Sequence, residues 1–152
     1  MAEEVLEQSA SFLLGAIANK LVNAGSALCR RHFAIGYTEW RAMVILALEP
    51  ATAKRICDVV GLDKAAISRA LKLLEARALI APTDATSGRR SRAYRLTDQG
   101  AAVYRRMLAA SREQQRRLLA RLTPEEAPLF ADMLRRVLGQ IPEVEAFAPE
   151  EL

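Results

Sequence analysis

Apolar positions recur at three- and four-residue spacing along most of this chain, and one short region near the middle breaks the rhythm. Residues from about 8 to 33 carry Leu14, Ile17, Leu21, Ala24 and Leu28 in such a row, without a proline, and predict a long helix. Phe12, Leu13 and Val22 widen its apolar face beyond that of a simple surface helix, so a buried partner, such as a second subunit, is expected. Gly36 interrupts the pattern. Thr38 is placed to cap a helix running to about Leu48, with Glu39 in its first turn, Trp40, Val44, Ile45 and Leu48 towards the core, and Pro50 as its stop.

From Thr52 to Thr97 the elements become short and close-set. Thr52 caps a helix that ends at Gly61, the residue that most readily takes a left-handed helix end. Asp63 caps the next helix, whose inward face is Ile67, Leu71 and Leu74. Leu79 to Thr83 and Arg92 to Leu96 read as strands joined through the polar stretch DATSGRRS, a hairpin with a loop longer than two residues. Thr97 and Asp98 start a long helix to about Arg121. The sequence TPEE at 123–126 then signals a helix start, with Leu129, Met133, Leu134, Val137, Leu138 and Ile141 on its apolar side. Pro142 is expected to stop that helix and the acidic tail beyond it to fray. The fold class predicted is mainly α with a small β-hairpin wing, as one domain over 1–152. Helix, glycine turn, helix and basic hairpin in this order suit a winged helix-turn-helix, with one helix for a major groove and a loop for the flanking backbone.

The charge is distributed to match. The net charge is +4, with 22 basic and 18 acidic residues, but residues 51–100 hold 10 basic and 5 acidic side chains, a local +5. Residues 1–50 sum to −1 and 101–152 to zero, so the whole excess lies where a phosphate-binding surface would be. On the second helix of the motif, Lys64, Ala65, Ser68, Arg69 and Lys72 remain once the inward face is assigned. Arg69 can pair bidentately with guanine, Ser68 can donate or accept, and Ala65 offers a methyl contact to thymine. Lys64 and Lys72 suit phosphates, as do Thr52 and Lys54 at the start of the preceding helix. Arg89 and Arg90 at the hairpin tip suit a narrow minor groove.

Other chemistries find little support. A single histidine and two cysteines offer no metal spacing, and seven scattered glycines build no phosphate-cradling loop, so neither catalysis, metal nor cofactor is expected. The acidic start lacks a signal-peptide character, and the apolar run Phe12–Ala18 is too short to span a bilayer; a cytoplasmic location away from membranes is expected.

With these elements placed, the chain resembles the MarR family of bacterial transcription regulators from about Ser9 to Ile141. The resemblance rests on GYTEWRAMVIL at 36–46, RICDVVGLDKAAISRALKLLEARALI at 55–80, and the GRR wing followed by RLTDQG at 95–100. It implies a homodimer joined by terminal helices (8–33 and 98–141), with a winged helix-turn-helix lobe at 37–97 presented to a palindromic operator of double-stranded DNA. It also implies release of DNA by a small-molecule effector, such as an aromatic acid, and a repressor role. For such a ligand, His32, Trp40 and Arg41 lie in the right stretch. Two departures stand out. Ala78 replaces the glycine of the family's "ARGL", which matters if the position needs a positive φ, and Gly88 replaces an acidic residue two before Arg90. Some relatives respond to cysteine oxidation, so a thiol sensor acting through Cys29, whose pKa Arg30 and Arg31 could lower, is one alternative. Cys57, where the family has a small buried alanine, reads as core packing. A winged helix used only for protein interaction is the other alternative.

Overall fold

The structure, a computed structural model, describes residues 9–83 and 92–148. Among these, seven helices and three short strands divide into two compact units, up to Ala109 and from Ala110.

In the first unit, helix α1 (Ala10–Phe33) starts at Ser9, whose hydroxyl accepts the Phe12 N–H. It buries only Gly25 and Cys29; Ile17 and Leu21 of the predicted row stay exposed, together with Phe12, Leu13 and Val22. By length and composition α1 could cross a membrane, with a mean hydropathy of 1.3 over 18 residues, which the seven-residue run in the sequence understates. Its C-terminal half packs on α2 (Tyr37–Leu46), where the Tyr37 ring lies against the bare Cα of Gly25. Gly36, not Thr38, is the N-cap of α2, and the helix ends two residues before the expected Leu48. The chain then turns, so Leu48 is 78% exposed and not in the core.

Strand β1 (Ala51–Thr52) was not foreseen. It pairs antiparallel with β3 (Ala93–Leu96), which also pairs with β2 (Ile80–Pro82), giving a three-stranded sheet in the order β1-β3-β2 where a simple hairpin was expected. Between β1 and β2 lie the two helices of the motif. Helix α3 (Ala53–Val60) is capped by Thr52, whose Oγ1 accepts the Arg55 N–H at 3.2 Å, and it ends at Gly61 with φ 66°. Helix α4 (Lys64–Ala76) is capped by Asp63, whose Oδ1 accepts the Ala66 N–H at 2.8 Å. Both caps and the glycine stop stand where the sequence put them. Ile67, Leu71 and Leu74 lock α4 into a core shared with Met43, Ile56 and Leu79.

The end of α4 is fixed from two sides. Ala78 has φ 54°, the left-handed conformation that a glycine would take without strain, so the family departure at this position carries a real steric penalty. Thr97, just before α5 (Asp98–Leu118), donates its hydroxyl to the Ala78 carbonyl at 2.7 Å and its N–H to that of Leu79 at 3.1 Å. Gly100 sits against the Leu79 carbonyl, where any Cβ would collide with backbone. Arg77 donates to the carbonyl of Ala34, itself at φ 53° just past α1.

In the second unit, α6 (Glu126–Gly139) opens on the expected capping box: the Thr123 N–H donates to Glu126 Oε2 at 2.8 Å, and the Glu126 N–H to Thr123 Oγ1 at 3.2 Å. Pro142 does not end the helical region. It lies in the first turn of α7 (Ile141–Ala146), where a missing N–H leaves no bond broken, and the acidic tail is helical there. Neither α6 nor α7 buries a residue, and Leu129, Met133, Val137, Leu138, Ile141 and Val144 on them are exposed.

Relief of the Ala78 strain should be measurable. Ala78→Gly is expected to raise stability by about 0.5–1 kcal/mol, the αL penalty less the extra chain entropy of glycine. Gly100→Ala should lower it by more than that. Urea denaturation of both variants checks the pair.

Candidate nucleic-acid interface

The polar surface of α4 separates into two rows. Lys64, Ser68 and Lys72, at i, i+4 and i+8, line one side of a groove of about 420 Å³; Ala53 and Lys54 of α3 and Arg92 and Tyr94 of the β3 strand region line the rest, over Leu71. Ala65 and Arg69 form the adjoining row and are exposed, with Leu73 one turn further on and 53% exposed. Thr52 contributes its backbone to the sheet and its hydroxyl to the α3 cap. Of the proposed contact residues, Lys54, Lys64, Ser68 and Lys72 therefore meet in one groove, whereas Ala65 and Arg69 face solvent beside it. Arg89 and Arg90 lie outside the described residues.

Arg92 and Tyr94 were missed at the sequence level. Arg92 Nη2 lies 3.1 Å from Glu75 Oε1 of α4, and its guanidinium sits 5.4 Å from the Tyr94 ring centroid. The i, i+2 spacing gave the one available signal, since Arg92, one residue before β3, and Tyr94 within it line the same groove.

The three residues suggested for an effector stand in different surroundings. Trp40 is in the core and stacks on Tyr104 with centroids 5.5 Å apart. Arg41 donates to the carbonyl of Val60 and so satisfies the C-terminal end of α3. His32 is exposed in the last turn of α1. Trp40 and Arg41 each have a structural task of their own, in the core and at the end of α3.

The cysteines behave differently from each other. Cys29 is 1% exposed, and burial, aided by Glu39, pushes its thiol pKa up; the opposing effect of Arg30 is smaller. The expected activation by neighbouring arginines is overturned, because desolvation outweighs it. Cys57 packs partly buried against the core, as read from the sequence.

This arrangement defines a winged helix-turn-helix protein: a capped helix, a left-handed glycine turn, a second helix locked by one face, and a small antiparallel sheet carrying a wing. The MarR family model matches residues 35–91. A MarR/EmrR family transcriptional regulator from Acinetobacter sp. ADP1 superposes with a TM-score of 0.83 at 28% identity, covering 91% of this chain and 98% of that one. A MarR family protein of Mycobacterium tuberculosis, in complex with salicylic acid, gives a TM-score of 0.69 at 25% identity over 85% of this chain and 96% of that one. The HTH-type transcriptional regulator YdgJ of Bacillus subtilis (strain 168) is 33% identical over 91 residues, 57% of this chain. That match takes in 53% of YdgJ, so the chain spans about half the length of this curated relative. In sequence and in fold the chain is thus similar to MarR family transcriptional regulators.

Buried as it is, Cys29 should resist a thiol reagent such as DTNB in the native protein at pH 8, with Cys57 reacting first. Because its folded pKa is raised, the neutral thiol favours the fold below the unfolded value of about 8.5. That contribution declines as pH rises through the folded value. Prompt labelling of Cys29 in a Cys57→Ala variant would contradict both statements.

Proposed function

We propose that this protein is a homodimeric transcriptional regulator, acting in the cytoplasm as a repressor on a palindromic DNA operator. The observation that carries the reading is the locked α4 helix, which buries Ile67, Leu71 and Leu74 and turns Ala65 and Arg69 outward beside a groove lined by lysines. In this reading residues 37–97 bind DNA. Arg69 and Ala65 read base edges, while Thr52, Lys54, Lys64, Ser68 and Lys72 hold the backbone. Arg89 and Arg90 of the wing complete the contact in the minor groove.

Dimerisation through residues 8–33 and 98–141 is supported by unpartnered apolar surface. Phe12, Leu13, Ile17 and Leu21 of α1, and Met133 and Val137 of α6, are all exposed in the single chain. Each such side chain gains roughly 1.5–3 kcal/mol when fully buried, enough in aggregate to drive a second copy onto the helices. Dimers of this fold place their recognition helices about 34 Å apart, one turn of DNA. Release by a small-molecule effector, an aromatic acid in particular, is supported by the salicylic acid complex of the Mycobacterium tuberculosis relative. His32, Trp40 and Arg41 are the residues proposed to meet it.

Two measurements test this. Sedimentation at micromolar concentration should give a dimer; a monomer would contradict the assembly. Duplexes selected from random DNA should yield an operator on which Arg69→Ala loses about 1–3 kcal/mol, with little loss on a scrambled duplex, whereas Lys72→Ala weakens both alike. Equal losses on both duplexes for Arg69→Ala would remove its base-reading role.

A further inference from the structure

The geometry points to the groove beside α4 as a seat for a DNA backbone phosphate, with Arg92 as its pre-set donor and with Glu75 and Tyr94 as positioning residues. The inference rests on the DNA-binding reading above and adds to it a residue outside both the recognition helix and the wing tip.

Four cationic side chains, Lys54, Lys64, Lys72 and Arg92, come from three separate elements to line one groove of about 420 Å³. Two independent parts of the chain, the start of α3 and the foot of the wing, thus add charge to the lysine row of α4. Such convergence of like charge favours an anion. The row itself is about 12 Å long, from eight residues of helical rise, and so runs along a strand of backbone rather than ending on a point. Ser68 is half-buried midway along it and supplies a neutral hydroxyl. The carboxylate at this edge is Glu75, and it is engaged with Arg92; Asp63 at the other end of α4 is engaged with the Ala66 N–H.

Arg92 differs from the lysines in being held. Its Nη2 meets Glu75 Oε1 at 3.1 Å, and its guanidinium carbon lies over the Tyr94 ring, 5.4 Å from the centroid. No side-chain hydrogen bond from its Nε or Nη1 is found among the described residues. A guanidinium carries five N–H donors in a fixed fork, so a carboxylate on one corner leaves the others for a phosphate. The cation–π contact with Tyr94 and the pairing to Glu75 restrict the rotamers of Arg92 before DNA arrives, which lowers the entropy lost on binding. Lys54, Lys64 and Lys72 then act as point charges around this fixed donor. Phosphate is favoured over a base edge because Arg92 stands across the groove from Lys64, Ser68 and Lys72, whereas Ala65 and Arg69 belong to the neighbouring row.

Salt dependence decides the matter. Affinity of the full-length protein for a labelled duplex, selected as above, is measured by fluorescence anisotropy from 50 to 300 mM salt, on operator and on scrambled sequence. Neutralising one phosphate releases counterions worth a slope of about 0.9 in log K against log salt. Arg92→Ala should therefore flatten the slope by about 0.9 on both duplexes. Arg92→Lys should keep the slope yet bind several-fold more weakly. Glu75→Gln should also weaken binding several-fold with the slope kept, and the double variant with Arg92→Ala should be no worse than Arg92→Ala alone. An unchanged slope in a folded Arg92→Ala protein overturns the inference, as does a loss confined to the operator. So does an unchanged slope joined to lost release by salicylate, which would make the groove an effector seat. Should the wild type bind no duplex at any salt concentration, the DNA-binding reading falls first and the phosphate seat falls with it.

Discussion

The burial of one face of α4 governs the rest of the molecule. Ile67, Leu71 and Leu74 are enclosed by residues of α2, α3 and β2, and each such burial stabilises by roughly 1.5–3 kcal/mol. Exposed charges offer nothing comparable, since surface ion pairs contribute about 0–1 kcal/mol each. The helix therefore cannot roll to bring its lysines inward or to shield Arg69. Rotation about the helix axis is fixed by apolar packing, and this fixes which polar residues form the outer row and which line the groove. A charge pattern alone would leave that choice open.

Much of this was legible because it is local. Thr52, Asp63 and Thr123 sit at helix starts where a side-chain oxygen can reach a free N–H two or three residues on, and Gly61 sits at a left-handed end. Features that failed to show are those made by distant partners. Strand β1 has two residues, too few for any periodicity, and exists because Ala51 and Thr52 find Tyr94 and Ala93. Leu48 continues a helical spacing on paper but lies past the point where α2 ends. Pro142 reads as a stop, yet the next helix starts one residue earlier and takes it into its first turn. The site divides in the same way. Lys64, Ser68 and Lys72 were visible as a helical face, whereas Arg92 enters through a contact with Glu75 across seventeen positions of sequence. Trp40 and Arg41, adjacent in the chain, point to different tasks because consecutive residues on a helix do not share a face.

The apolar surface left on α1 and on the second unit follows a different logic from the core. Helices α6 and α7 bury none of their residues, so little but their own hydrogen bonds supports them in a single chain. Isolated helices of this length are marginal in water. Their stability is then inseparable from whatever covers them, and in a dimer the concentration of protomers sets it. The core around α4 does not share this dependence, because it closes within the first unit.

The end of α4 is held from two sides within the first unit. Arg77 ties the helix to the carbonyl of Ala34, just past α1, while Thr97 and Gly100 clasp Ala78 and Leu79 from the start of α5. Ala34 and Ala78 both have positive φ, a conformation that costs alanine roughly 1–2 kcal/mol, and both lie where the backbone is held by these contacts. A left-handed alanine persists only when its surroundings leave no alternative. Two of them at one junction imply that the position of the α4 terminus is dictated by α1 and α5 rather than by the local preference of the chain. In the proposed dimer those same two helices meet the partner. The separation of the two copies of α4 would then be set by a few hydrogen bonds from Arg77 and Thr97 to the backbone of Ala34, Ala78 and Leu79.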